Sequence, residues 1–203
     1  MRNKLIGSVL SVALLSAGSA FALDIDPKFY VGGELQATKF KPKKEVSKAL
    51  EENDLKLKQS KAGAGVFVGS RLNENFGVEA GYSLLGKIKI VRKNGNEEAN
   101  DALTAKNRNI HADILGYLPI NENVDVIGSI GVGQLKTTFK NKDIQKALKD
   151  SGAKMQKTGL RLGLGAQYKF DENIGARFMV RHQKGNDLLK SVNSAGLGLF
   201  YQF

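Results

Sequence analysis

Three times, about fifty residues apart, the chain writes an apolar residue, then Asn or Asp, Glu, Asn and a second apolar residue: Leu72–Phe76 (LNENF), Ile120–Val124 (INENV) and Phe170–Ile174 (FDENI). Around each copy the side chains alternate. Ala64, Val66, Val68 and Leu72 share one parity ahead of the first copy, and Phe76, Val78, Ala80, Tyr82 and Leu84 follow it. Ile110, Ala112, Ile114, Gly116 and Leu118 precede the second, with Val124, Val126, Ile130 and Val132 after it. Leu160, Leu162, Leu164, Ala166, Tyr168 and Phe170 lead into the third, and Ile174, Ala176, Phe178 and Val180 leave it. A period of two marks strands with two different faces, and two such runs joined by a short polar turn make a hairpin. Three hairpins, with single strands at Phe29–Lys39 and Ser194–Phe203, give eight strands in up-and-down order.

The opposite parity carries Glu34, Gln36, Arg71, Glu79, His111, Asp113, Asp125, Arg161, Gln167, Lys169, Arg177 and Arg181, separated by glycines. In a soluble sandwich this face would be outside; in an outer-membrane barrel it would line the lumen. Alternation alone does not choose. Three features favour the membrane. The connections at the NEN end are about three residues long, whereas those at the other end run from roughly seven to twenty-two, at Lys41–Lys61, Lys87–Arg108, Lys136–Lys157 and Lys184–Lys190. Short periplasmic turns and long outer loops are the outer-membrane pattern. Phe29, Tyr30, Phe76, Tyr117, Tyr168, Phe170, Tyr201 and Phe203 crowd the short-turn end, as an interfacial girdle requires. The chain also keeps alternating to its last residue, through Leu197, Leu199, Tyr201 and Phe203.

Arg2 and Lys4 precede an apolar run from Leu5 to Leu15, and a small-x-small pattern ends at Ala22. This predicts a cleaved secretory signal over residues 1–22 and a single barrel domain over 23–203; as a membrane anchor the run is short for a hydrocarbon core of about 30 Å. There is no cysteine, hence no disulfide framework, thiol nucleophile or thiolate metal site. No later stretch reaches eighteen consecutive apolar residues, which excludes helical spans and leaves a barrel open.

The formal net charge of +11 would suit nucleic acid, but its placement says otherwise. The four long connections hold 22 Lys/Arg against 10 Asp/Glu, and the strands and short turns are net acidic. An exported chain with basic loops meets lipopolysaccharide phosphates beside it and polyanions or acidic proteins beyond it, not intracellular nucleic acid. Lys43, Lys44, Lys140, Lys142, Lys146 and Lys149 are the candidate binding surface. Val46 and Leu50, and again Ile144 and Leu148, stand four apart, predicting short helices over Lys43–Asn53 and Asp143–Asp150.

Val66–Ile88 (VFVGSRLNENFGVEAGYSLLGKI), Ile114–Ile120 (ILGYLPI) and the segment FYVGGELQATKF from Phe29 resemble strands of the transmembrane domain of the outer membrane protein A family. The ending Tyr201-Gln202-Phe203 resembles the signal read by the barrel-assembly machinery, with Tyr201 and Phe203 as the recognised residues. The likeness extends to the opacity-type small surface antigens and implies an all-β, eight-stranded, antiparallel transmembrane barrel. It also implies an ion pair between Glu79 and Arg177 in the lumen; a second acidic position of the family's network falls here on Gln167. Longer relatives continue into a peptidoglycan-gripping domain, and the surface-antigen type fits this length better.

Eight strands enclose a lumen that side chains fill, so its charges must pair. Glu79, Arg177, Arg71, Arg161, Arg181, Glu34 and Asp113 are expected to form a plug of salt bridges, with a small ion-conducting gate as the alternative. His111 and Asp113 share a parity, but metal sites need three or four converging ligands and His182 points outward, so no metal and no cofactor are expected. The glycine-rich GAGVFVG and GLRLGLGAQ stretches suit a crowded lumenal face better than a phosphate loop. No nucleophile, base and orienter set is legible, so no enzyme is expected. The reading is a monomeric surface protein of the bacterial outer membrane, structural and adhesin-like. Outer-membrane lipid and lipopolysaccharide, the assembly machinery and a host extracellular protein or polyanion are its partners.

Overall fold

The computed structural model describes residues 26–52, 54–59, 61–92, 104–141, 150, 152 and 154–203. Its strands are β1 (Lys28–Pro42), β2 (Leu55–Gln59), β3 (Ala62–Arg71), β4 (Phe76–Arg92), β5 (Thr104–Pro119), β6 (Val124–Phe139), β7 (Gln156–Lys169), β8 (Ile174–Lys184) and β9 (Leu189–Gln202), and the helix α1 spans Lys44–Glu52. From β3 onward each strand pairs antiparallel with the next, and β1 closes the ring by pairing with both β3 and β9. β2 and β3 are two pieces of one stave: β2 pairs with the upper part of β4, and β3 with the lower part and β1. The result is a closed, eight-staved, up-and-down barrel.

The repeated pentapeptides close its lower end by one mechanism used three times. The first polar residue is an Asx cap: Asn73 Oδ1 accepts from the amides of Asn75 and Phe76 at 2.9 and 2.8 Å. Asn121 Oδ1 and Asp171 Oδ1 do the same for Asn123 and Val124, and for Asn173 and Ile174. The third polar residue ties each turn to the following stave. Asn75, Asn123 and Asn173 donate through Nδ2 to the carbonyls of Tyr117, Lys169 and Gln202 at 3.2, 3.1 and 2.8 Å. The glutamate between them is exposed.

The two faces separate as the parity predicts. Leu35, Val66, Ile114, Leu164 and Leu197 point outward with 57 to 73% of their surface exposed, while Glu34, Glu79, Asp113, Arg161, Arg177 and Arg181 are buried inside. An exterior this continuously apolar is built for lipid. Glycines make the lumen fit: a Cβ on Gly69 would sit 2.7 Å from the carbonyl of Val78 and against the ring of Tyr30.

The structure corrects three expectations. The strands run well past the membrane belt, so the connections shrink: β4 reaches Arg92, β5 starts at Thr104, β6 ends at Phe139 and β7 begins at Gln156. Above the belt the outward face turns polar and the inward face mixes amides with apolar side chains, so the period of two fades although the hydrogen-bonded ladder continues. Part of the first connection is strand as well, β2, which Asp54 feeds from α1 through a left-handed turn (φ 54°). Finally, Tyr30 and Tyr117 point into the lumen, both 6% exposed, and do not belong to the girdle; their phenols cap its charged interior. Phe29, Phe76, Tyr168, Phe170, Tyr201 and Phe203 do face outward. Phe203 stacks between Phe29 and Tyr201, at centroid distances of 6.5 and 6.3 Å. The helix expected over Lys43–Asn53 is α1; the one expected over Asp143–Asp150 falls almost wholly outside the described residues, as do the signal segment and Lys142, Lys146 and Lys149.

Candidate functional site

From the periplasmic turns upward, the lumen is filled in layers. Arg71 makes a bidentate contact with Asp125 at 2.8 and 3.2 Å, Gln167 donates to the same carboxylate at 2.7 Å, and Lys169 approaches it at 3.7 Å. Above this, Tyr30, Phe67, Leu115, Tyr117, Ile127, Met179 and Phe200 form an apolar layer. Within that layer Arg177 grips Glu79 with both terminal nitrogens, one at 2.9 Å. Tyr30 donates to Glu79 at 3.0 Å, and the Arg177 guanidinium lies 3.6 Å over the Phe67 ring. Next come Arg161 to Asp113 at 2.9 Å and Arg181 to both oxygens of Glu34 at 3.0 and 2.8 Å.

The strand register explains why these partners meet. Glu79 on β4 and Asp113 on β5 are direct cross-strand neighbours, and Gln167 on β7 faces Arg177 on β8. Glu34, Arg161 and Arg181 complete the layer from β1, β7 and β8. Three carboxylates and three guanidiniums therefore share one buried level, which is neutral in sum and desolvated, so each charge depends on its partner.

His111 stands beside this layer. Glu79, His111 and Asp113 each offer a ligand atom within 4.8 Å of one another, which is the geometry of a three-ligand cation site. The chemistry argues against it: both carboxylates are already held by arginines, and a divalent ion would leave the level with two uncompensated charges.

Higher still, the polar groups are neutral. Asn109 and Gln183 exchange amide hydrogen bonds at 2.9 and 3.0 Å, and Thr137 bridges Asn107 and Asn186 at 2.8 and 3.0 Å. Phe40, Ile88, Ala105, Leu135, Leu189 and Val192 then close the mouth with a second apolar cluster. Neither this amide layer nor this lid had a sequence signal, because its residues lie where alternation fades.

At the rim, Asp187 gathers three connections. Its carboxylate accepts from the amide of Lys154 at 3.1 Å and meets the ammoniums of Lys157 at 3.4 Å and Lys43 at 3.6 Å. The Lys154 amide, helped by Lys157 and Lys43, holds the Asp187 carboxyl below the usual carboxylate range. Lys43 is thus partly engaged, and Lys44 on α1 and Lys140 beyond β6 lie at the exposed surface. Gln59 seals the gap between β1 and β2: its carboxamide accepts from the Phe40 amide at 3.1 Å and donates to the Phe40 carbonyl at 2.9 Å, standing in for a missing backbone partner.

A closed barrel with a lipid-facing exterior, a charged and filled lumen and short turns at one end defines an integral protein of the bacterial outer membrane. The family model of the outer membrane protein β-barrel domain matches residues 8–203, and the chain belongs to that family. It is 32% identical over 130 residues to outer membrane protein A of Klebsiella aerogenes, a match covering 61% of this chain and 34% of that protein. The chain thus spans about a third of the length of this curated relative. Among solved structures it resembles OprG of Pseudomonas aeruginosa, with a TM-score of 0.55 and 13% identity over 88% of this chain and 97% of that one. Neisserial surface protein A gives 0.53 and 14% over 86% and 97%. Ail, the attachment invasion locus protein of Yersinia pestis, gives 0.50 and 18% over 89% and 100%.

Proposed function

We propose that this outer-membrane barrel is a structural surface protein and adhesin whose basic extracellular connections bind polyanions, with Lys43, Lys44, Lys140, Lys142, Lys146 and Lys149 in the binding surface. The observation that carries the reading is the division of charge. Within the lumen the buried arginines Arg161, Arg177 and Arg181 each have a carboxylate partner, while the lysine surplus of the chain lies above the apolar belt, in the connections and on the upper ends of the strands that carry them. The ion-paired interior leaves ligand recognition to the rim. Ail, solved in complex with the heparin analogue sucrose octasulfate, is a barrel of the same fold holding a small polyanion, and a sulfated saccharide or an acidic host protein suits this rim.

The test is binding of sucrose octasulfate to the full chain refolded in detergent. Reversing Lys44, Lys140, Lys146 and Lys149 to Glu weakens binding by about tenfold or more, and affinity falls steeply with salt. Binding that ignores both the substitutions and the salt sinks the proposal. A small gated pore is the second reading, favoured by the stack of ion pairs along the lumen. It requires single-channel conductance that changes in Glu79→Ala or Arg177→Ala.

A further inference from the structure

Between the lowest lumenal layer and the apolar layer above it the side chains leave a small cavity, with room for about one water-sized occupant. Tyr30, Arg71, Tyr117, Gln167, Arg177 and Gln202 stand in its wall. Above it Phe67, Leu115, Ile127 and Met179 fill the barrel. The way in is therefore from the periplasmic end, past Lys169 and Gln202, which are only partly buried.

The charges of the lumen do not balance, and the imbalance lies at this cavity. Arg161, Arg177 and Arg181 are matched one to one by Asp113, Glu79 and Glu34. In the lowest layer, however, Arg71 and Lys169 share the single carboxylate of Asp125. Five cations less four carboxylates leave one positive charge. Donors are left over at the same place. Arg177 is 4% exposed and gives both terminal nitrogens to Glu79, while its Nε has no hydrogen-bond partner among the described residues. Gln167 gives Asp125 one amide hydrogen and has a second to offer. The nearby carboxylates are already engaged, Asp125 by Arg71 and Gln167 and Glu79 by Arg177 and Tyr30. A neutral water would leave the surplus charge in a narrow, poorly solvated site, whereas a small anion accepts from the spare donors and cancels it.

We infer that the cavity binds one monatomic monovalent anion of the chloride type. Arg177 Nε and the carboxamides of Gln167 and Gln202 hold it, in the field of Arg71 and Lys169. The anion is the fifth negative charge of the lumen and completes its lowest layer. Phosphate and sulfate are too large for a space of this size. Because the apolar layer closes the lumen above, the ion enters and leaves on the periplasmic side, and the site requires no conduction through the barrel. It is also independent of the loop surface proposed above.

The experiment uses the full chain refolded in detergent. Crystals soaked in bromide show an anomalous bromine peak in the cavity beside Arg177. In solution the midpoint of heat-induced unfolding, read from the gel shift, rises with chloride to saturation while gluconate holds the ionic strength constant, and sulfate does not replace chloride. Lys169→Gln removes the surplus charge and raises the chloride concentration for half the effect about tenfold or more. Gln202→Glu supplies a built-in carboxylate and abolishes the chloride response, whereas Lys184→Gln on the outer wall leaves it intact. A heat-modifiable band shows that each variant folds. A water in place of bromide in the cavity, unfolding indifferent to chloride at constant ionic strength, or a chloride response that survives both Lys169→Gln and Gln202→Glu overturns the inference.

Discussion

Replacing Glu79 by Ala removes the carboxylate that Arg177 and Tyr30 share. Both ionic partners are 4% exposed, so water does not rescue the guanidinium that remains. Breaking a buried pair from one side costs about 3–5 kcal/mol, since the lost charge-assisted hydrogen bonds are compounded by an unpaired buried charge. Arg177→Ala strands Glu79 in the same way, with only the Tyr30 hydroxyl left to it, and costs about as much. The double variant contains neither orphan. It loses packing against Phe67 and gains a cavity, and its cost is close to one single variant rather than to the sum of two, a coupling of about 2–4 kcal/mol. Glu79→Gln keeps an acceptor in place and loses less than Glu79→Ala. The chain has no tryptophan, so unfolding is followed by circular dichroism and by the heat-modifiable gel band across a urea series in lipid vesicles. Additive single-variant costs, or single variants that cost under about 1 kcal/mol each, refute the view that mutual dependence of buried charges holds this layer together.

Three more outcomes follow from other parts of the barrel. The Asp187 carboxyl titrates below its unfolded value, so the clamp it makes is complete above about pH 4 and is lost as the pH falls through the depressed folded value. Protease protection of the connections is therefore flat from pH 8 to pH 5 and drops in stronger acid, and Asp187→Asn removes that dependence. Gln59→Ala frees the amide and carbonyl of Phe40; at about 0.5–1.5 kcal/mol per hydrogen bond, it speeds hydrogen exchange at Phe40 and leaves Tyr30 unchanged. We also propose that Tyr201 and Phe203 are read by the barrel-assembly machinery: Phe203→Ala lowers the amount reaching the outer membrane in cells, while refolding of the purified chain into detergent stays close to normal, because Phe203 is 69% exposed and stacks only on surface rings.

The fold was legible wherever two unlike solvents met across a strand. Between lipid and a charged lumen, Val66, Val68, Leu162 and Leu164 could only point one way, and their parity carried the staves and their turns. Above the belt that contrast disappears. Lys136, Thr137, Thr138 and Phe139 sit on one continuous strand, yet their outward side chains meet water and their inward ones an amide and apolar lid, so no alternation marks them. The ion pairs were legible as a set, because charges inside a narrow barrel must pair, but the pairing of Arg71 with Asp125 and the reach of Lys43 to Asp187 depend on strand register and loop path, which no local pattern encodes. Tyr30 and Tyr117 were misassigned because an aromatic at a membrane boundary has two good environments. Only register reveals that Tyr30 covers Gly69 and that a guanidinium lies over the ring of Tyr117.

The rim is where the rigidity of the lower barrel becomes useful. A flexible lysine-rich loop binds a polyanion only after ordering its own side chains, and that ordering subtracts from the free energy of binding. Here the described parts of the first, third and fourth connections are restrained before any ligand arrives. The Lys43 amide donates to Leu188 at 3.2 Å and its ammonium reaches Asp187, Lys154 and Asp187 exchange hydrogen bonds, and Asn186 reaches Thr137 and Met155. One acidic residue thus ties the first, third and fourth connections to a common point on the barrel lip. A single carboxylate of this kind contributes little as an ion pair at an exposed site. Its larger effect is geometric: it holds Lys43 and Lys157, which would otherwise drive one another apart, at one point, and under the proposed function that spacing sets which anion the surface fits.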